Sequence, residues 1–359
     1  MGRKRKNNEL GLPDRVYAKH GAFYYIHKDA RWERLGTDLA EAKRKGRLYN
    51  DPDATYGTMT YYLDGFVVHC EKRVQLGYLK PRTYEDYKRD AAALKTFFGA
   101  MTPASIEPQH VGAYLDLCAD IGRPVRGNRE KACLSACFTW LIRNGEGSVK
   151  VNPCKGVRRN TETPRERYVE HEEYFAVRAI AVRQVRGLLD LTYRTLQRPD
   201  DIIGWGPANL VQKQQPDGSM RRVIRNDQGK TGAIVHIAIT PEIDAILADL
   251  RATGTGSHPA NTWIHRQNGE PYTYSGLCSM LRRYIVKVNQ TRERNGKPLI
   301  KSFSPYDLKA KGATDMWLAG VPLEQIQVLC GHESVTTTEI YVKCRWRGTV
   351  EPNRVEMTV

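Results

Sequence analysis

Apolar residues change their spacing three times along this chain of 359 residues. Short aromatic and β-branched runs come first, at residues 16–17, 23–26 and 32–35, with turn formers at 20–21 and 28–30 between them. Such runs predict a small three-stranded sheet, and AEAKRKGRLYN after it a short basic helix. From about residue 56 the apolar spacing becomes three and four, the helical period. TMTYYLDGFVVHCEKRV, RTYEDYKRDAAALKTFFG, EPQHVGAYLDLCAD and NREKACLSACFTWLIRNG predict a helical bundle. Thr83 is the expected N-cap of its second helix, and Gly99 and Gly145 stand where helices should stop. VNPCKGVRRNTETPRERYV then breaks the period with proline, glycine and charge, predicting a basic linker between about 155 and 166. Helical pattern returns in HEEYFAVRAIAVRQVRGLLDLTYRTL. RRVIRNDQGKTGAIVHIAIT predicts a β-hairpin with its turn at DQGKTG, and four more helical runs follow, from PEIDAILADLRA to VPLEQIQVLC. The expected fold is a multidomain α+β chain. It comprises a three-stranded sheet domain over residues 1–52, a helical bundle over 56–160, and a mainly α domain with a β-hairpin over 167–359.

Composition narrows what such a chain contacts. Hydrophobic residues make up 40%, enough for ordinary cores. Lys and Arg number 56 against 40 acidic residues, a formal net charge of +16. That excess favours a polyanion, because each neutralised phosphate releases condensed counterions. The tract Arg3, Lys4, Arg5, Lys6 opens the chain, and Lys80, Arg82, Arg126 and Lys131 fall at expected helix starts and loops, where a duplex backbone could be gripped. The eight cysteines form no CxxC pair and the nine histidines do not cluster with them, so reduced packing thiols and no metal site are expected. No run reads as a membrane span, and MGRKRKNNEL lacks the apolar stretch of a secretory signal, which points to the cytoplasm.

Four blocks in the last segment carry candidate chemistry: TYRTLQRPDDIIGW, QGKTGAIVHIAIT, FSPYDLKAKG and VPLEQIQVLCGHESVTTTEIYVK. The GKT string lacks the GxxxxGK spacing of a nucleotide-binding loop, which removes an ATPase reading. Pro322 is suited to the first turn of the LEQIQVLC helix and Gly331 to its end, delivering His332 at the helix edge. SVTTTEIY predicts a short helix ending at Tyr341.

In order and spacing these blocks resemble the catalytic domain of tyrosine recombinases and phage integrases. Residues 1–50 look like the arm-site DNA-binding domain of lambda-type integrases, and 56–160 like their helical core-binding domain. The resemblance implies Arg198 against the scissile phosphate with Asp201 in support, Lys230 as proton donor to the leaving 5′-oxygen, His332 in the cleft, and Tyr341 as nucleophile. It also implies a 3′-phosphotyrosyl intermediate without metal or nucleotide cofactor. The partners it implies are core and arm sites on double-stranded DNA, a homo-tetramer in synapsis, and a bending protein or directionality factor. A prokaryotic or phage-infected cell, at the nucleoid, is the implied setting. The tail after Tyr341, with its strand-like VEMTV, would pack on a neighbouring protomer.

YDLK departs from the family's usual His-x-x-Arg, leaving Tyr306 and Lys309. A phenol cannot shuttle a proton near neutrality as an imidazole does. Lysine keeps the charge and loses the planar bidentate grip. Full loss of one well-placed oxyanion donor costs about 3–4 kcal/mol, roughly 100–1,000 in rate, so slow or conditional cleavage is expected. The alternative is a recombinase-derived DNA-binding protein that has lost strong catalysis.

Overall fold

A two-residue turn at His20 and Gly21, both at positive φ (49° and 71°), folds β1 (Val16–Lys19) back onto β2 (Ala22–Ile26). Its backbone twist matches that of the strands it joins. β3 (Trp32–Gly36) pairs antiparallel on the other side of β2, giving the order β1-β2-β3, with a bulge between Phe23 and Tyr24. One face of this sheet buries Val16, Tyr25 and Leu35 with Leu12 and with Ala42 of α1 (Leu39–Asn50). Gly46 lets α1 approach, since a Cβ there would collide with Val16. Tyr17 and Tyr24 instead gather around the exposed Trp32, and Lys19 lies over its ring at 5.3 Å. The computed structural model describes residues 9–27, 29–50, 55, 57–163, 167–253 and 260–343. Arg3, Lys4, Arg5, Lys6 and the expected tail strand in 344–359 lie outside the described residues, as does the side chain of Tyr341.

The helical bundle comprises α2 (Met59–Gln75), α3 (Pro81–Phe98), α4 (Pro108–Asp120) and α5 (Pro124–Asn144). Leu63, Phe66, Leu94, Phe98, Leu134, Phe138 and Leu141 form its centre. Two expectations need correction here. The N-cap of α3 is Lys80, because Pro81 starts the helix at N1 and leaves Thr83 inside the first turn. α5 likewise begins at Pro124, four residues before NREK, so Arg126 falls in its first turn and Lys131 lies well inside the helix. Arg126 pairs with Asp90 and with buried Glu130, which also accepts from Tyr114 Oη at 2.6 Å. Lys131 is 8% exposed and its ammonium donates to the Val157 carbonyl at 2.6 Å. Asn160 and Glu162 of the expected linker are tied down too: Asn128 and Asn160 exchange hydrogen bonds, and Asn128 Nδ2 donates to Glu162. The bundle and the first sheet fall in one compact unit, residues 1–164, and the rest of the chain in another, 165–359.

The second unit begins with α6 (His171–Ile180) and α7 (Arg183–Thr195), two helices within the run whose spacing predicts helix. Ala181 and Val182 are extended (ψ 141° and 156°) and break the helix without glycine or proline. α8 (Pro199–Ile203) follows, then a sheet of order β4-β5-β6 formed by β4 (Leu210–Gln214), β5 (Met220–Asp227) and β6 (Ile234–Ala238). β5 and β6 are the predicted hairpin; β4 is an added edge strand of mostly exposed polar residues. α9 (Pro241–Arg251), α10 (Tyr274–Arg294), α11 (Pro305–Leu318), α12 (Leu323–Cys330) and α13 (Val335–Lys343) complete it. The architecture is thus the expected one: small sheet, helical bundle, and a mainly α region with a hairpin. Trp205, Leu188, Leu191, Ile224, Leu281 and Leu308 lie in its main core. No helix of the described residues is long and apolar enough to cross a membrane.

α11 rests directly on α7 because Gly312 has no side chain; a Cβ there would strike the Tyr193 carbonyl and Leu196. Gly312→Ala should therefore destabilise the protein by about 1–3 kcal/mol, read as a lower denaturant midpoint. An unchanged midpoint would contradict this packing.

Candidate active site

Leu196 ends α7 in the left-handed region, φ 54°, a conformation costly for a branched side chain. Its complete burial with Ala313, Ile326, Cys330 and Val342 offsets that strain. The sharp turn delivers Gln197 and Arg198 to the start of α8, where Pro199 sets the first helical position. Arg198 Nη1 donates to Gln228 Oε1 at 2.6 Å and stands 3.9 Å from Asp201 Oδ2. Gln228 rather than Asp201 therefore holds the guanidinium most closely. Asp201 acts on the other side, its Oδ1 accepting from the Gly229 amide at 3.0 Å.

That bond pins the hairpin loop. Lys230 sits exposed at the tip between two anchored neighbours, Gly229 on Asp201 and Thr231, whose Oγ1 donates to Gln228 at 2.8 Å. A short loop fastened on both sides holds its lysine near the Arg198 turn.

α11 supplies Tyr306 and Lys309. Its start is fixed by Ser304, whose backbone and hydroxyl both donate to Asp307 Oδ2 at 2.7 and 2.9 Å. Residues three apart share a helix face, so Tyr306 and Lys309 point the same way. The Tyr306 hydroxyl donates to Asp200 Oδ2 at 2.9 Å, and its ring meets Tyr274 edge-on. Burial, then the bond to Asp200, raises its pKa above the ordinary phenol value. Lys309 is only 2% exposed, with Nζ 3.4 Å from the Cys330 carbonyl. Burial lowers its pKa, and the nearby Arg198 charge adds to the effect.

The Cys330 carbonyl belongs to the last turn of α12. Pro322 is the N-cap of this helix, and Gly331, at φ 64°, turns the chain out of it as the sequence suggested. His332 follows at once, its Nδ1 hydrogen-bonded to Thr338 Oγ1 of α13 at 3.0 Å. Burial, together with the Lys309 and Arg198 charges, pushes its imidazole down to about 4. It is therefore neutral at physiological pH. Tyr341 lies three residues beyond Thr338 along α13.

Arg198, Asp201, Tyr306, Lys309 and His332 thus converge, with the Lys230 loop anchored to the same cluster. Two mutually repelling cations, one of them desolvated, form a site that an oxyanion would relieve. Sequence reasoning missed Gln197, Gln228, Asp200 and Thr338. The position of Gln228, two residues before the turn lysine in NDQGKTG, was the one available signal.

Residues 168–345 match the model of the phage integrase family. The integrase of Escherichia phage HK022 is 24% identical over 276 residues, covering 70% of this chain and 72% of that protein. Tyrosine recombinase XerC of Xylella fastidiosa strain M23 is 24% identical over 282 residues, covering 73% and 86%. The fold is also that of a lambda integrase dimer bound to a COC′ core site, with TM-score 0.64 at 18% identity, covering 98% of this chain and all of that one. A lambda integrase tetramer bound to a Holliday junction gives TM-score 0.64 at 18% identity over 97% and 99%.

The depressed His332 pKa has a consequence for stability. Between pH 6.5 and about 4 the unfolded chain binds a proton that the folded site resists. The contribution is therefore full above pH 6.5 and is lost as pH falls toward 4. His332→Gln should show a smaller loss of unfolding free energy across that window than the parent; an equal loss would contradict the assigned environment.

Proposed function

We propose, from the premise that residues 168–345 belong to the tyrosine recombinase/phage integrase superfamily, that the chain cuts and rejoins duplex DNA at specific sites through Tyr341. The observation that carries this reading is the convergence of Arg198, Lys309 and neutral His332 beside a hairpin loop that presents Lys230. Arg198 and Lys309 face the non-bridging oxygens of the scissile phosphate. The Tyr341 oxygen attacks phosphorus and the bond to the 5′-oxygen breaks, leaving the 3′-phosphate on the tyrosine. His332 takes the phenol proton, and Lys230 supplies one to the leaving 5′-oxygen. Attack by a partner strand's 5′-hydroxyl reverses these steps and joins the new strand. No metal or nucleotide enters this scheme.

Tyr306 is outside proton transfer, because its hydroxyl is committed to Asp200. Lys309 offers a single ammonium, shared with the Cys330 carbonyl, where an arginine would offer a fork. Cleavage is accordingly slow. The weakened-recombinase reading draws on the same two side chains, and the rate of covalent capture separates it from an active enzyme.

The remaining segments extend this reading. Residues 56–160 hold core-type DNA, with exposed Lys80 and Arg82 and the partly exposed Arg126 among the contacts; Lys131, buried in the bundle, acts there through its packing. Residues 1–52 hold arm-type sites, through the tract Arg3–Lys6 and the aromatic, basic face of Tyr17, Tyr24, Trp32 and Lys19. Four protomers assemble in synapsis at the host nucleoid, integrating or excising a phage or other mobile element, with a bending protein and a directionality factor as assisting partners.

Incubation with a nicked suicide substrate should give a slowly migrating covalent species on a denaturing gel, and Tyr341→Phe should give none. Lys309→Ala should slow its formation about 100- to 1,000-fold. Core-site binding without any adduct from the parent, over long incubation, would contradict the enzymatic reading. Separately, removing residues 1–50 should weaken binding to arm-type repeats in filter assays and leave core-site binding intact; equal loss at both would contradict the division of labour.

A further inference from the structure

Gln228 adjoins an exposed hairpin tip, yet it is only 1% exposed itself. A carboxamide has two N–H donors and an oxygen with two lone pairs, and here all four are used. Oε1 accepts from Arg198 Nη1 at 2.6 Å and from Thr231 Oγ1 at 2.8 Å. Nε2 donates to Gln197 Oε1 at 2.8 Å and to the Cys330 carbonyl at 2.9 Å. These partners also define the orientation of the amide. Inverting it would set N–H groups against the guanidinium and oxygen against the carbonyl.

The four partners come from three separate segments. Gln197 and Arg198 form the turn between α7 and α8, Thr231 follows Lys230 in the hairpin loop, and Cys330 ends α12 just before His332. A second feature shows that the end of α12 is shaped around this amide. A Cβ on Gly331 would run into Gln228 Nε2, so the residue that turns the chain toward His332 also leaves the space that Gln228 fills. Asn226 extends the network inward, donating to Gln197 Oε1 at 2.8 Å and accepting from Trp205 Nε1 at 2.9 Å. The junction is thereby fixed to the core of the unit.

We infer that Gln228 is a positioning residue for strand cleavage, one that sets the Arg198 fork, the Lys230 loop and the His332 turn in a common register on one phosphate. This rests on the cleavage reading given above. Gln228 needs no contact with DNA for the role, since its hydrogen-bonding capacity is already filled. Its effect passes through groups that do meet the substrate, so its loss is felt in the chemical step and not in binding.

Three versions of a core-site suicide substrate test this with the full chain. One carries the natural phosphodiester. In the second a methylphosphonate removes one non-bridging charge and so relaxes the demand on Arg198. In the third a bridging 5′-phosphorothiolate supplies a leaving group that needs no protonation by Lys230. Gln228→Ala should form the covalent adduct roughly 10- to 100-fold more slowly on the phosphodiester, with core-site affinity unchanged in gel shifts. On each modified substrate the loss relative to the parent should shrink. Gln228→Glu keeps the volume and the acceptor oxygen while removing both donors, and should show the same dependence on substrate. Equal loss on all three substrates, no loss, or loss of core-site binding in both variants would overturn the inference. No adduct from the parent protein would instead overturn the cleavage reading itself, and this inference with it.

Discussion

The Cys330 carbonyl, at the end of α12, accepts from the Gln228 amide at 2.9 Å and from the Lys309 ammonium at 3.4 Å. Helix ends leave such carbonyls without intrahelical partners and carry partial negative charge. Here that unmet acceptor joins the hairpin loop and α11 to the turn that bears His332. Gly331 makes the arrangement possible twice over, by taking φ 64° and by having no Cβ to displace Gln228. Without this meeting point Lys309 would be a buried cation lacking its carbonyl partner, and Arg198 would lose the amide that orients its fork. Placement of the candidate catalytic groups is thus a property of one helix terminus more than of any single side chain.

The same terminus explains how the chain accommodates Lys309. A compact ammonium on a flexible stem reaches a backbone carbonyl from inside a well-packed helix face. The carbonyl dipole offsets part of its desolvation, while nearby Arg198 opposes its charge. Tyr306 is settled in a comparable way, by Asp200 and the edge of Tyr274. Both departures from the family pattern are therefore satisfied structurally in the absence of DNA. The remaining electrostatic tension, two cations around a neutral histidine, is of the kind an incoming phosphate relieves.

Much of this was legible in the sequence, and the parts that were not share a physical reason. Strongly periodic segments such as α5 and α10, the glycine ends at Gly145 and Gly331, and the strand runs of the first sheet announce themselves through spacing and backbone preference. The break at Ala181–Val182 does not, because both residues suit the helix that they interrupt. β4 shows little alternation because it is an exposed edge. Arg126 and Lys131 looked like surface cations, since sequence carries no sign of the buried Asp90 and Glu130 or of the Val157 carbonyl that engage them. Among the residues that converge in the candidate site, Arg198 and His332 stand in ordered motifs of the sequence. Gln228 offered only its place two residues before the turn lysine, and Thr338 nothing, because neutral amides and hydroxyls act through tertiary neighbours.

In the proposed reaction this cleft directs one tyrosine, Tyr341, onto a DNA phosphate. That step is tested most directly by trapping the protein on a core-site suicide substrate, digesting the complex with nuclease and protease, and locating the residual nucleotide by mass spectrometry. The expected product is a nucleotide joined through its 3′-phosphate to the peptide containing Tyr341. A nucleotide on any other residue, Tyr306 included, or one joined through a 5′-phosphate, would contradict it.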